Sequence, residues 1–222
     1  METVTTVTYV LGTLGMMIGI PICLRLLSEN RRDGRFGHLM VIPATAGLMY
    51  ATMAFGVGTV EAHGYPVPIP RYIDWLITTP VLVGYTAYVA GMSRGWIVGV
   101  AIADALMIGF GGVAVATSGL LQWGAFGLSS LCHIILLSVL YLVLPSFAAE
   151  QRPERRRLAH VLQNHVGLLW IAYPLVWVFG PGLQMVSAVG LAIIITFMDV
   201  VAKVPFVYFV YQARNAFGDE KA

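Results

Sequence analysis

Seven stretches of this sequence are apolar over about 20 residues each, and they restrict the possible folds more than any other feature. A helix needs about 20 mostly apolar residues to cross the hydrocarbon core of a membrane. The sequence predicts such helices over residues 4–27, 38–59, 71–91, 95–117, 121–144, 158–180 and 186–213. The composition agrees, because 58% of the 222 residues are hydrophobic and only 11% are charged, against roughly 25% charged residues in a soluble domain. We therefore expect a multi-pass protein of the cell membrane.

Short polar stretches separate these segments, which bears on how the helices are arranged. Helices joined by short links are usually antiparallel neighbours in one bundle. The sequence therefore predicts an all-α membrane protein, a bundle of seven transmembrane helices that forms a single domain over residues 1–222.

The basic residues lie almost entirely on alternate links between the segments. They are Arg25, Arg31, Arg32, Arg35, Arg94, Arg152, Arg155, Arg156, Arg157, Arg214 and Lys221. The positive-inside rule places these links and the C-terminus in the cytoplasm, and the N-terminus outside. The opposite links carry Glu61 and His63. We expect the run at residues 155–157 to face water and lipid headgroups. A net charge of +2 gives no reason to expect a nucleic-acid partner.

Charged residues also occur inside the apolar segments, where water is excluded. An ionised side chain at the bilayer centre costs at least ~2.5 kcal/mol. Lys203 lies four residues after Asp199 in the seventh segment, so a helix puts both on one face. In the third segment Arg71, Asp74 and Thr78 form a second stripe, and Asp104 lies in the fourth segment. These residues form either structural ion pairs or a site for transport, proton transfer or a ligand counter-ion, and the composition favours the second.

Aromatic residues in the sixth segment are spaced to share one helix face. Trp170, Tyr173 and Trp177 stand at i, i+3 and i+7, and Pro174 should kink that helix. Two further aromatic candidates for the bundle interior are Tyr50 and Trp75. Such a stripe alone is more often a packed core than a binding site.

An aromatic cage around a desolvated lysine suits a long conjugated ligand that is bound covalently to the lysine. Lysine forms Schiff bases with carbonyl compounds. A protonated Schiff base keeps the positive charge that Asp74 and Asp199 would balance.

Three stretches carry a resemblance to a known family. The segments RYIDWLITTP, WIAYPLVWVFGP and DVVAKVPFVYF resemble the third, sixth and seventh helices of the haloarchaeal retinal proteins, the microbial (type 1) rhodopsins. The resemblance implies that Lys203 carries all-trans retinal as a protonated Schiff base, with Asp74 and Asp199 as counter-ions and Arg71 beneath them. It also implies a retinal pocket formed by Tyr50, Trp75, Thr78, Thr79, Leu82, Met107, Gly111, Phe126, Trp170, Tyr173 and Trp177. Phe126 departs from bacteriorhodopsin, which has a tryptophan there.

The resemblance also bears on which kind of rhodopsin this is. Proton pumps of the bacteriorhodopsin type carry a carboxylate on the third helix that returns a proton to the Schiff base. The matching residue here is Tyr85, eleven residues and about 16 Å past Asp74, and tyrosine is a poor proton donor at neutral pH. Such pumps also carry carboxylates on the extracellular side that release the proton. Here the turn over residues 179–184 contains no acid, and Leu191 occupies the place of the other of these carboxylates. These differences predict a slow photocycle, which suits signalling.

Within the family the sequence resembles sensory rhodopsin I most closely. Asp104 and Ala202 match its pattern, and His165 matches a histidine whose role is to couple the photoactive site to a transducer. Asp104, His165 and Tyr85 are therefore our candidate signalling residues. We expect His38 and His133 to be structural residues whose hydrogen bonds are satisfied.

The resemblance implies a phototaxis receptor that signals through a two-helix membrane transducer of the chemotaxis type. We expect contact with membrane lipid, no metal and no enzyme active site, and assembly into homo-oligomers stays open. The alternatives are a light-driven proton pump, a middle rhodopsin or sensory rhodopsin II type of receptor, and a seven-helix receptor for a diffusible ligand. The absorption maximum and the sign of the response, attractant or repellent, also stay open.

Overall fold

The computed structural model describes residues 2–30, 34–62 and 64–217. Arg31, Arg32, His63 and Lys221, which entered the topology prediction, lie outside these residues. Within them the chain forms seven long helices, numbered first to seventh here: Thr3–Glu29, Gly34–Ala54, Ile69–Val89, Arg94–Ala116, Gly119–Ala149, Pro153–Gly182 and Ala188–Gln212.

Six of these helices are long and apolar enough to cross a membrane. The third helix, with 21 residues, is less apolar because it carries Arg71, Asp74 and three threonines. Most of its polar residues are buried by the helices around it. The predicted helical fold and multi-pass membrane character are confirmed. The side of the membrane on which each terminus lies stays a prediction.

Several helices contain local irregularities. The first divides into Glu2–Met17 and Gly19–Glu29, and the second into a 3-10 turn Gly34–Met40 and an α-helix Val41–Ala54. The fifth comprises Gly119–Ser138, a π-helical turn Val139–Val143 and Leu144–Ala149. The sixth comprises Pro153–Trp170, Ala172–Trp177 and a π-helical turn Val178–Gly182. A 3-10 turn, Arg214–Phe217, follows the seventh helix.

The break in the sixth helix lies where a kink is expected. Pro174 has no N–H to donate to the carbonyl of Trp170, and the α-helix is interrupted at Ile171. The α-helical part of the sixth helix therefore consists of two segments that meet at this point.

A β-hairpin that was not predicted connects the second and third helices. Strand Thr59–Ala62 pairs antiparallel with strand Tyr65–Pro68. The prediction of helix up to residue 59 was wrong, because the helix ends at Ala54 and Gly56 and Gly58 adopt φ angles of 71° and 78°, which end a right-handed helix. The Tyr65 hydroxyl donates a 2.6 Å hydrogen bond to the carbonyl of Val186. The hairpin is thereby attached to the link before the seventh helix.

Close packing of the first helix positions Tyr50. A Cβ atom on Gly12 would overlap the Tyr50 ring and the methyl group of Thr196. Glycine at this position therefore lets the fully buried Tyr50 ring lie against the first helix while its hydroxyl reaches the seventh.

The arginine run at residues 155–157 is not uniformly exposed. Arg156 and Arg157 are exposed, but Arg155 is only 7% exposed. Its guanidinium donates to the carbonyls of Tyr88 and Val89. The expectation that the whole run faces water and headgroups was wrong for Arg155, because the third helix ends beside it and the last carbonyls of a helix need donors from outside that helix.

Candidate functional site

A buried ion pair joins the third and seventh helices. Lys203 Nζ donates directly to Asp74 Oδ2, and the two side chains are at most 2% exposed. The Thr78 hydroxyl, one turn along the third helix, lies 3.1 Å from Asp74 Oδ1 and donates to it. Both carboxylate oxygens of Asp74 therefore have a donor, which a charge removed from water requires.

Asp199 is also buried, but three neutral donors hold it. Tyr50 Oη donates to Oδ2 and Tyr173 Oη to Oδ1, each at 2.7 Å. Trp75 Nε1 lies 3.1 Å from both oxygens. These donors come from the second, sixth and third helices, so this carboxylate ties three helices to the seventh.

The ion pairs suggested by spacing along single helices are not the ones observed. In residues 2–30, 34–62 and 64–217 Lys203 pairs with Asp74 and not with Asp199, and no pair within 4.0 Å joins Arg71 to Asp74. Arg71 is 4% exposed and instead approaches Tyr9. Its Nη2 lies 3.4 Å from Tyr9 Oη, and its guanidinium carbon lies 5.8 Å from the centre of that ring. Arg71 Nε has no hydrogen-bond partner in the described part of the chain.

A cavity of about 120 Å³ lies between the hairpin and the third to seventh helices. This is about eight times the volume that one water molecule requires. Twelve residues of the predicted site line it: Arg71, Trp75, Thr79, Leu82, Met107, Gly111, Phe126, Trp170, Tyr173, Trp177, Asp199 and Lys203. Asp74, Thr78 and Tyr50 do not line it, but each bonds to a residue of the buried charge network.

Aromatic rings form much of the cavity wall. Phe126 and Trp177 are stacked, with ring centres 4.1 Å apart and planes 11° apart. Trp75 meets Tyr173 edge to face at 5.4 Å. An amine at a cavity with flat aromatic walls, next to two buried carboxylates, fits a long conjugated aldehyde bound to Lys203.

Several residues that line the cavity were not among the pocket residues that the family resemblance implied. Ser129, Ser130 and His133 form one stripe of the fifth helix that faces it. Ser129 donates a 2.8 Å hydrogen bond to the carbonyl of Met107. His133 Nε2 is buried and has no hydrogen-bond partner among the described residues, so the expectation of a satisfied structural histidine was wrong. The repeat of polar residues at i, i+1 and i+4 in an apolar helix was the available signal.

The hairpin also contributes to the cavity. Its residues Tyr65, Pro66, Val67 and Pro68 line the wall. No sequence signal identified them, because the hairpin itself was not predicted.

The three candidate signalling residues lie outside the cavity, each in contact with a helix that forms it. Asp104 is fully buried and accepts a 2.6 Å hydrogen bond from Thr79 Oγ1. His165 Nε2 donates to the carbonyl of Ala202 at 3.0 Å, next to Lys203.

Tyr85 is buried in an aromatic cluster beyond the site. Its ring lies 5.3 Å from that of His38, 5.7 Å from that of Tyr88 and 6.2 Å from that of Phe206. A bulky aromatic side chain thus lies between the ion pair and the end of the third helix at Val89.

Comparison with known proteins identifies related chains. The model of the bacteriorhodopsin-like protein family matches residues 3–217. The chain is 49% identical over 215 residues to sensory rhodopsin-1 of Halobacterium sp. (strain SG1). The aligned residues cover 95% of this chain and 87% of that protein. It is 32% identical over 214 residues to sensory rhodopsin-2 of Haloarcula vallismortis, covering 93% and 89%. Among solved structures, cyanorhodopsin from the cyanobacterium Calothrix sp. has a TM-score of 0.90 at 28% identity, covering 95% and 94%.

Proposed function

Since this chain belongs to the bacteriorhodopsin-like family, whose chromophore is retinal, we propose that it is a photoreceptor of the sensory rhodopsin I type that signals for phototaxis through a membrane transducer. The observation that carries this proposal is the buried Lys203–Asp74 ion pair beside a cavity with aromatic walls. Identity of 49% with a sensory rhodopsin-1, against 32% with a sensory rhodopsin-2, favours the first type of receptor.

Retinal, held in the all-trans form on Lys203 Nζ as a protonated Schiff base, would supply light absorption and photoisomerisation. The residues of the chain supply the rest. Asp74 Oδ2 balances the positive charge at Lys203 Nζ, and Asp199 provides a second negative charge. The side chains of Trp75, Trp170 and Trp177 form apolar parts of the cavity wall.

The contacts support Asp74 as the residue that would take a proton from Lys203 Nζ. Asp74 Oδ2 already contacts this nitrogen, so it is the acceptor. Asp199 is the weaker acceptor, because three donors from Tyr50, Trp75 and Tyr173 already stabilise its negative charge. Once the proton has moved, the attraction between opposite charges on the third and seventh helices is lost.

Two contacts carry this change to the sixth helix. Tyr173 bonds to Asp199 close to the break at Ile171, and His165 bonds to the carbonyl next to Lys203. The segment Pro153–Trp170 can therefore change its angle when the seventh helix shifts. We propose that a two-helix transducer of the chemotaxis type contacts the sixth and seventh helices and receives this movement. The positive-inside rule predicts that this end of the bundle, with its basic links, lies in the cytoplasm.

Signalling fits the structure better than pumping. Rapid pumping needs a proton donor on the third helix beyond the ion pair, and Tyr85 occupies that position within a cluster of aromatic rings. A neutral phenol gives up its proton poorly near pH 7. The state in which Lys203 Nζ has lost its proton should therefore persist.

The test is reconstitution with all-trans retinal. We expect a visible absorption band, and mass spectrometry after borohydride reduction should find the adduct on Lys203. The chain has one other lysine, Lys221, so Lys221→Ala should keep the band and Lys203→Ala should abolish it. A colourless wild-type protein, or a band that survives Lys203→Ala, would contradict the proposal. Strong light-driven acidification by vesicles, unaffected by a transducer, would indicate a pump instead.

A further inference from the structure

Arg155 makes a contact between the third and sixth helices that the proposed photochemistry does not use. Its Nε donates to the carbonyl of Val89 at 3.0 Å, and its Nη2 donates to the carbonyl of Tyr88 at 2.9 Å. The third helix ends at Val89, where the carbonyls carry the partial negative charge of the helix dipole. The guanidinium therefore binds the C-terminal end of the third helix.

The position of Arg155 in its own helix is unfavourable for a positive charge. The sixth helix begins at Pro153, and a cation in the first turn of a helix is opposed by the dipole of that helix. Arg156 and Arg157 meet the same opposition but are exposed to solvent. Arg155 alone of the three is buried against another helix, so the third helix provides the stabilising interaction.

The 3-10 turn that follows the seventh helix closes over this contact. Phe217 is 2% exposed, and its ring is stacked on that of Tyr88, with centres 6.2 Å apart and planes 7° apart. The guanidinium carbon of Arg155 lies 5.4 Å from the Tyr88 ring centre and 5.6 Å from that of Phe217. Phe36 packs edge to face on Phe217 at 5.5 Å. Both rings are within the range of a cation–π interaction with Arg155.

These contacts lie at the end of the helical segment that the proposed function requires to move. The segment Pro153–Trp170 is interrupted at Ile171, so a change of angle there displaces its other end, which carries Arg155. That displacement requires Arg155 to leave the carbonyls and both rings. The carbonyls belong to the helix that carries Asp74, so the contact links the helix of the ion pair to the helix that moves.

We propose that Arg155 is a positioning residue that latches the sixth helix to the third in the dark, and that release of this latch controls the population and lifetime of the signalling state. The Arg155 latch consists of Arg155, the carbonyls of Tyr88 and Val89, and the ring of Phe217. Its link to light rests on the proposed function, but the latch itself is a property of the dark protein and can be tested without illumination.

The experiment compares Arg155→Gln with Arg156→Gln in the full, retinal-loaded chain. The two variants lose the same charge from the same helix, but only the first loses the latch. Spin labels at the exposed positions Ser93, in the link that follows the third helix, and Arg157, introduced after the two native cysteines are replaced, report the distance between the sixth helix and the chain just after the end of the third helix.

We expect the dark distance distribution of Arg155→Gln to shift toward a longer component. Loss of two hydrogen bonds from a charged donor should change the ratio of open to closed arrangements by about 10-fold or more. Arg156→Gln should match the wild type, and Arg155→Lys should recover part of the closed population. After a flash, the signalling state of Arg155→Gln should decay about 10-fold more slowly at an unshifted absorption maximum.

Each outcome separates the latch from the proposed function. Equal dark distances in Arg155→Gln and Arg156→Gln would overturn the latch, whatever the colour of the protein. A dark difference between them, with no light-induced change in either, would support the latch and contradict the proposed signalling movement. If Arg155→Gln does not fold, Arg155→Lys and Phe217→Ala test the same contacts, and dark distances equal to the wild type in both would overturn the latch.

Discussion

The Lys203–Asp74 ion pair should be strongly coupled in the protein without retinal. Lys203→Met removes the cation and leaves the Asp74 carboxylate, which is fully buried, with Thr78 as its side-chain donor. Removing one partner of a buried ion pair costs ~3–5 kcal/mol of unfolding free energy, whereas replacing both partners is often neutral. We therefore expect Lys203→Met to destabilise the protein by about 3 kcal/mol or more, and the double variant with Asp74→Leu to regain most of that loss.

The measurement is a double-mutant cycle on equilibrium unfolding in mixed micelles, followed by circular dichroism. Arg25→Met is the matched control, because Arg25 pairs with Glu29 at 2.9 Å but is 69% exposed, and exposed pairs contribute little. No measurable change is expected for this control. A coupling energy below ~0.5 kcal/mol, within the range expected for independent sites, would refute the conclusion that Lys203 and Asp74 form a charged pair before retinal binds.

Three further predictions concern colour, packing and the photocycle. Asp74→Asn should shift the absorption maximum to longer wavelength and slow proton loss from Lys203 Nζ, because the negative charge and the acceptor are removed together; an unchanged spectrum would mean that Asp74 is not a counter-ion. Gly167→Ala should cost about 1–3 kcal/mol of unfolding free energy, since its Cβ would lie 2.6–2.8 Å from ring atoms of Tyr141. Gly99→Ala, which meets no atom within 4 Å, should be neutral or stabilising in the same measurement. Tyr85→Asp should accelerate the return of the proton in flash photolysis by placing a carboxyl group on the third helix, and wild-type kinetics would contradict the role assigned to this position.

Much of the architecture could be read from local sequence patterns. The thickness of a membrane dictates helix length, so seven helices were predicted near their observed positions. The spacing of Trp170, Tyr173 and Trp177 predicted a shared face, and all three line the cavity. Pro174 predicted an irregular sixth helix, because a missing N–H acts within one turn of its own position. In each case the cause lies within a few residues of its effect.

Local sequence patterns could not predict which buried acid pairs with which buried base. Spacing along the seventh helix put Asp199 beside Lys203. The observed partner, Asp74, is 129 residues away, and it was named as a counter-ion from the family resemblance and not from spacing. The rotation of the second, third and sixth helices supplies three donors to Asp199 and leaves Lys203 to the carboxylate of the third helix.

The burial of Arg155 and the position of the hairpin also depend on contacts between residues far apart in the sequence. Charge along the chain predicted that Arg155 faces solvent, whereas the neighbouring end of the third helix buries it. The hairpin is attached at Val186, beyond the range of any pattern within residues 59–68. The length and periodicity of the apolar segments thus specify which residues form helices and which faces are buried, because both depend only on residues that are close together in the sequence. The partner of each buried polar group depends on how the helices are rotated against one another, and this is a property of the assembled bundle.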